Sequence, residues 1–329
     1  MTKELNFIWI DDSRQRSFSA ESLSRNLKVK VRFVSVEKKS ILDELKKIFG
    51  GSRPDLILID HKLSKTANSN IQTGSTLAEL VHEKLPDCPI VCVTAVDILR
   101  DIDYSQRQIY DAIFAFPDLS KHYESLKIIA ESYRFMLKNR PRSSDDLLAL
   151  VKAPDSDRNR LLAVLPMHLR NNFDDRSLLS RISKWVRQVL LGMPGSLYDE
   201  LWIATLLGVK PSSFKKILKL FGKAEYKGVF ANADIPRWWA TTAKEIVFAK
   251  FKDERFRQPW ELGHRLEGLT DKDKSICYAC EEPLPETVAF VDESSSRREP
   301  MHLRCTVRHP GYEKMLFFEE LRVMKGEGE

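Results

Sequence analysis

Three short apolar runs in this chain end on side chains that can do chemistry. Residues 5–10 run into the acid pair Asp11-Asp12, residues 56–59 into Asp60, and residues 89–93 into Thr94-Ala95. If these runs are neighbouring parallel strands, their carboxyl ends gather two or three acids and one hydroxyl where open α/β sheets bind ligands. Clustered carboxylates repel one another, so the pocket calls for a hard divalent cation, and an oxygen-only donor set suits Mg2+. A carboxylate neutralised in this way, beside a hydroxyl, is suited to accept a phosphoryl group.

A second constellation lies near the C-terminus. Cys277 and Cys280 form a C-x2-C knuckle, and His302 with Cys305 forms H-x2-C, the two halves separated by 21 residues. Together they offer the soft and borderline ligands that structural Zn2+ takes in tetrahedral array. His309 is an alternative to His302 with less regular spacing. The chain has five cysteines, an odd number that speaks against a disulfide framework. Cys88 and Cys92 read as buried apolar fillers. Four protein ligands would close the zinc site, and residues 281–300 contain neither His nor Asn, so a structural role is expected rather than a hydrolytic one. No catalytic constellation is recognisable after residue 140, and the chain is not expected to be an enzyme.

The elements that must position these groups can be read from periodicity. Apolar or β-branched runs at 5–10, 29–36, 56–59, 89–94 and 112–116 alternate with helical patterns at 14–27, 40–49, 74–84, 97–109 and 122–138. Leu56 to Ile59 is apolar throughout, as expected of a central strand buried on both faces. Five βα units of this kind make a doubly wound parallel sheet.

With those elements in place, residues 1–139 resemble the receiver domain of two-component response regulators. The marks are the acid pair Asp11-Asp12 after the first strand, Asp60 after the third, Thr94-Ala95 after the fourth, and Gly74 opening the third helix. The resemblance implies a flavodoxin-like fold in which Asp60 is phosphorylated by a partner histidine kinase or a small phosphodonor. It also implies that Asp11, Asp12 and Asp60 hold Mg2+ with the backbone carbonyl of Lys62, and that Thr94 bonds a phosphoryl oxygen. One position departs from the family, which places a Lys before the Pro that ends the fifth strand. Here Phe116 precedes Pro117, and Lys121 is the nearby cation with the wrong spacing.

Beyond residue 139 the composition shifts. Residues 140–160 are polar and proline-bearing and read as a linker. Residues 161–270 read as an all-α output domain, with Leu178, Ile182, Trp185, Val186 and Val189 as a core stripe. Residues 271–329 read as a small α+β zinc-binding domain resembling a treble-clef or LIM-like finger. Within the middle region, residues 201–218 resemble a helix-turn-helix, with Ala204 at the helix crossing and Gly208 at the turn. From 210 to 257 there are twelve Lys or Arg against five Asp or Glu. Ser212, Ser213, Lys215, Lys216 and Lys219 are therefore candidates to face double-stranded DNA. The alternative for the same region is an adaptor that binds a partner protein.

Composition bounds these readings. The 329 residues suffice for two or three domains, and 43% hydrophobic with 30% charged residues is ordinary for a globular chain. The net charge of +6 permits an anionic partner without requiring one. No apolar stretch approaches the roughly 20 residues that span a bilayer, so no membrane association is expected. The N-terminus runs directly into a strand, leaving no room for a signal peptide, and a cytoplasmic location is the expectation.

Overall fold

Strand-forming runs and glycine or proline breaks translate directly into the N-terminal architecture. The computed structural model describes residues 4–37, 40–63, 73–97, 102–192, 195–233, 235–254, 257–282, 287–292, 297–302 and 305. The chain divides into two compact units, one comprising 1–193 with 227–235 and the other 194–226 with 236–329.

In the first unit, β1 (Asn6–Asp11), α1 (Ser17–Leu27), β2 (Lys30–Ser35), α2 (Ile41–Phe49), β3 (Leu56–Ile59), α3 (Gly74–Lys84), β4 (Ile90–Thr94), α4 (Tyr104–Arg107), β5 (Ala112–Ala115) and α5 (Tyr123–Lys138) follow in order. All five strands are parallel, in the order β2-β1-β3-β4-β5. This is the expected five-stranded doubly wound sheet, and its strand order reverses between β1 and β3, where a crevice opens at the carboxyl ends. Every residue of β3 is fully buried. Ile8, Ile10, Ile57, Ile59 and Cys92 form one core cluster with Leu45 and Ile48 of α2 and Leu77 and Val81 of α3. By strand alternation Phe7, Trp9, Leu58 and Val93, also buried, face the other side. The opposite pole is tied by Asp55, which accepts from Asn6 N–H (2.8 Å) and from two nitrogens of Arg134 on α5 (3.0 and 2.6 Å).

The segment 140–160, expected as a linker, carries α6 (Ser144–Leu150) and the start of α7 (Asp155–Val164). Leu147, Leu148 and Val151 are fully buried, so this segment is part of the first unit's core. α8 (Met167–Arg170) and α9 (Leu178–Lys184) follow, the latter continued by a π-helical turn over Trp185–Leu190. Of the expected stripe, Leu178, Ile182, Trp185 and Val186 are buried and Val189 is exposed. Partly buried hydrogen bonds help tie these helices to the sheet's unit, in place of the helical output domain expected over 161–270. Ser183 Oγ (3.0 Å) and Tyr133 OH (2.6 Å) donate to Asp111 Oδ1, and Phe230 N–H donates to Ser132 Oγ (2.8 Å).

The second unit begins with β6 (Leu197–Tyr198), which pairs antiparallel with β7 (Trp238–Trp239), so the region is not wholly helical. Between them lie α10 (Glu200–Leu206) and α11 (Pro211–Ile217); α12 (Ala240–Lys250) and α13 (Pro259–Leu262) follow. Trp238 and Trp239 are core anchors, 5% and 3% exposed. An antiparallel hairpin, β8 (Thr287–Asp292) with β9 (Arg297–His302), lies between Cys280 and Cys305 in the sequence. Among the described residues, no helix is long and apolar enough to cross a membrane.

Candidate functional site

Asp11 ends β1, Asp60 directly follows β3, and Thr94 ends β4, so the switch point of the sheet gathers the groups the sequence singled out. Asp11, Asp12 and Asp60 are 0%, 5% and 8% exposed, and one carboxylate oxygen from each lies within 4.8 Å of the others. The backbone of Asp60 is held by the start of α3. Gly74 N–H donates to His61 O at 2.5 Å, and a Cβ at Gly74 would fall 2.2 Å from the Asp60 carbonyl oxygen. Only glycine permits that approach. Lys62, whose carbonyl is the expected further ligand, is held in a bridge with Thr73.

Crowding three carboxylates out of water changes their chemistry. Burial first, and the Asp60 charge second, push Asp11 up to about 7, against the Ser13 N–H (2.7 Å) and the Arg16 guanidinium. Burial likewise raises Asp60, against the Thr94 hydroxyl's hydrogen bond first and the pull of Arg16 second. Asp11 Oδ2 and Asp60 Oδ1 are buried, the first with no hydrogen-bond partner among the described residues and the second beside the Thr94 hydroxyl. Buried carboxylate oxygens short of donors are costly, and one oxygen of each acid lies close to those of the others. The donor set is therefore complementary to a small hard cation such as Mg2+, and unsuited to a soft one.

At the position after β5, Phe116 takes the place of the expected Lys. Lys121 does not compensate locally; its Nζ pairs with Asp118 and the side chain is 73% exposed. The cation of the pocket comes from elsewhere. Arg16, at the start of α1, stacks its guanidinium carbon 3.3 Å from the centre of the Phe116 ring and sets Nε 3.8 Å from Asp11 Oδ2. Its side chain is 18% exposed, and its Nη1 is buried without a hydrogen-bond partner among the described residues.

In the second unit Cys277, Cys280 and Cys305 bring their sulfurs within 4.8 Å of one another. The knuckle is shaped by Glu281, in the left-handed region at φ 60°, whose N–H donates to Cys277 O (2.9 Å), while Cys277 N–H donates to Glu282 O (2.8 Å). Three converging thiols fit a thiophilic ion such as Zn2+. The backbone of His302 ends β9; its side chain, and all of His309, lie outside the described residues.

The candidate DNA-facing residues divide. Gly208, at φ +64°, makes the turn between α10 and α11, and a Cβ there would lie 2.4 Å from Trp260 O. Ser212, Lys215 and Lys219 are exposed. Lys216 is exposed too, its Nζ reaching Asp273 Oδ1 (2.6 Å), whereas Ser213 is buried and donates to the same oxygen (2.6 Å). That carboxylate also accepts from Thr270 N–H and Oγ1, at 2.9 and 3.0 Å, and these donors hold its pKa well below the ordinary range.

No family model matches the chain, and no curated protein matches it. Solved structures do. Receiver domains of response regulators are its structural neighbours over roughly the N-terminal 40%. One is the N-terminal signal receiver domain of a two-component response regulator from Bacteroides fragilis, at 21% identity and a TM-score of 0.33, covering 39% of this chain and 98% of that one. Another is a two-component response regulator from Clostridium difficile, at 19% identity and a TM-score of 0.32, covering 39% and 97%. A third is the histidine kinase ThkA in complex with the response regulator protein TrrA, at 20% identity and a TM-score of 0.29, covering 37% and 97%.

Sequence reasoning missed Arg16. Periodicity assigns 14–27 to one helix, whereas Arg14–Arg16 form a 3-10 turn and Arg16 caps α1. A usable signal was present: a basic residue four positions after Asp12, at the mouth of an acid pocket lacking its expected Lys.

Proposed function

We propose that this chain is a response-regulator-like signalling protein that accepts a phosphoryl group on Asp60 from a partner histidine kinase or a small phosphodonor. The observation that carries this reading is the buried triad Asp11, Asp12 and Asp60, its donor oxygens within 4.8 Å at the sheet's switch point, beside the Thr94 hydroxyl. Asp11, Asp12 and Asp60 would hold Mg2+, with the Lys62 carbonyl as a further ligand. When bound, that ion neutralises the charge gathered around the transferred group.

The chain's own residues do the rest. An Asp60 oxygen attacks phosphorus and forms the new O–P bond. The donor's bond to phosphorus breaks, and its electron pair leaves with the imidazole of a phosphohistidine, which takes up a proton, or with the carboxylate of an acyl phosphate. Thr94 Oγ1, buried beside the Asp60 carboxylate, can donate to an oxygen of the transferred group. The protein keeps the phosphoryl mark and has no turnover chemistry of its own.

For the output we favour the adaptor reading, in which the second unit, braced by Zn2+ on Cys277, Cys280, His302 and Cys305, binds a partner protein. What favours it over double-stranded DNA is the burial of Ser213 and the pairing of Lys216 with Asp273 (2.6 Å) and of Lys215 with Glu200 (3.7 Å), which neutralises much of the basic face. A salt-dependent gel shift of duplex DNA would reverse that preference. Phosphorylation itself is tested by intact mass after incubation with acetyl phosphate and Mg2+. The wild type gains one phosphoryl group and Asp60→Asn none; no adduct on the wild type would refute the reading.

A further inference from the structure

The acid pocket has a cation at its edge, contributed by the start of α1. Arg16 and Phe116 are far apart in the sequence and meet with the guanidinium carbon over the ring, 3.3 Å from its centre. Stacking occupies one face of the group and leaves its in-plane N–H donors free to point along the edge. One of these edges lies beside Asp11, with Nε 3.8 Å from Oδ2. Nη1 is buried and has no acceptor among the described residues, an arrangement that is costly unless an acceptor arrives. The Phe116 ring is in turn braced by Trp9 of β1, their ring centres 6.4 Å apart and Trp9 wholly buried.

Building on the phosphoacceptor reading of Asp60, we infer that Arg16, seated on Phe116, is the cationic ligand of the transferred phosphoryl group. Phe116 is then not a lost cation but the platform for a substitute. A guanidinium suits this task because it stays charged at any working pH and its planar fork matches two phosphoryl oxygens. The placement also carries a cost. A fixed positive charge beside Asp11 opposes a metal ion in the same pocket, so Arg16 favours the phosphoryl group at the expense of the free divalent cation. This pairing of opposed effects separates a phosphoryl ligand from a residue that merely supports the fold.

The test uses the full chain with beryllofluoride, a phosphoryl analogue, its binding followed by 19F NMR in saturating Mg2+, and with Mg2+ alone titrated calorimetrically. Losing a charge-assisted hydrogen bond is expected to weaken beryllofluoride binding by about tenfold to a hundredfold in Arg16→Ala. Mg2+ affinity measured without the analogue should be unchanged or higher in the same variant. Adding Phe116→Lys to Arg16→Ala should restore analogue binding, since it returns a cation to the end of β5. Phe116→Leu, which keeps Arg16 but removes its platform, should fall between wild type and Arg16→Ala and keeps the idea testable should Arg16→Ala fold poorly. Undiminished analogue binding in Arg16→Ala, or a parallel loss of Mg2+ binding, overturns the role of Arg16 while leaving Asp60 as acceptor. Absence of beryllofluoride binding in the wild type overturns the acceptor reading, and this inference with it.

Discussion

Replacing Asp11 by Asn should stabilise the metal-free protein, and do so increasingly as pH rises. Burial and the neighbouring carboxylate push Asp11 from its ordinary 3.8 up to about 7. At ~1.4 kcal/mol for each tenfold change in proton affinity, that displacement corresponds to roughly 4 kcal/mol. The folded value lies above the unfolded one, so the folded chain holds this proton more tightly. Stability from this group is therefore lost as pH rises from about 4 to about 7, and the full penalty applies above 7. Asn keeps an oxygen to accept the Ser13 N–H, now at 2.7 Å, and carries no charge. In EDTA, urea unfolding should show the advantage of Asp11→Asn growing by about 2 kcal/mol between pH 5 and pH 8, part of the full figure being lost to relaxation of the pocket. Using the difference between the two proteins removes the opposing trend from His61 and His264, whose burial lowers their pKa values and favours the folded state as pH rises. Saturating Mg2+ should reverse the order at pH 8 by stabilising the wild type alone. An advantage that does not change with pH, or a variant less stable than wild type at pH 8 in EDTA, would refute the electrostatic account of the pocket.

Two further outcomes follow from local geometry. Gly74→Ala puts a Cβ 2.2 Å from the Asp60 carbonyl oxygen and 2.9 Å from His61 Cα, so backbone must shift; we expect a loss of about 2 kcal/mol or more in thermal or urea unfolding and a matching drop in phosphoryl uptake. A Gly74→Ala protein with wild-type stability would show that α3 does not clamp the acceptor loop. Native mass spectrometry should find one Zn2+ per chain, released by chelator or by Cys277→Ser, with unfolding of the second unit at lower temperature; a metal-free chain of unchanged stability would remove the structural role of the cysteines.

The sequence by itself determined the sheet and the acids at its edge. A strand buried on both faces must be apolar for its whole length, as residues 56–59 are, and the first polar residue after it must emerge at the strand's end, as Asp60 does. The cysteine site was legible for a similar reason: the knuckle is a local structure, and its spacing is set by ligand geometry. Gly74 could be placed as the start of a helix, but its contact with the Asp60 carbonyl needed the fold. Periodicity shows which face of a helix is apolar without showing what that face meets. Hence residues 140–160 read as a linker although Leu147, Leu148 and Val151 are wholly buried. Likewise Ser213 reads as part of an outward face although it is buried on Asp273, 60 residues further along the chain. The same limit hid the Arg16–Phe116 stack, because a cation's partner is chosen by the distance between α1 and the end of β5 in space, and no spacing along the chain encodes it. Tertiary structure alone decided that Arg16 sits on Phe116 beside Asp11.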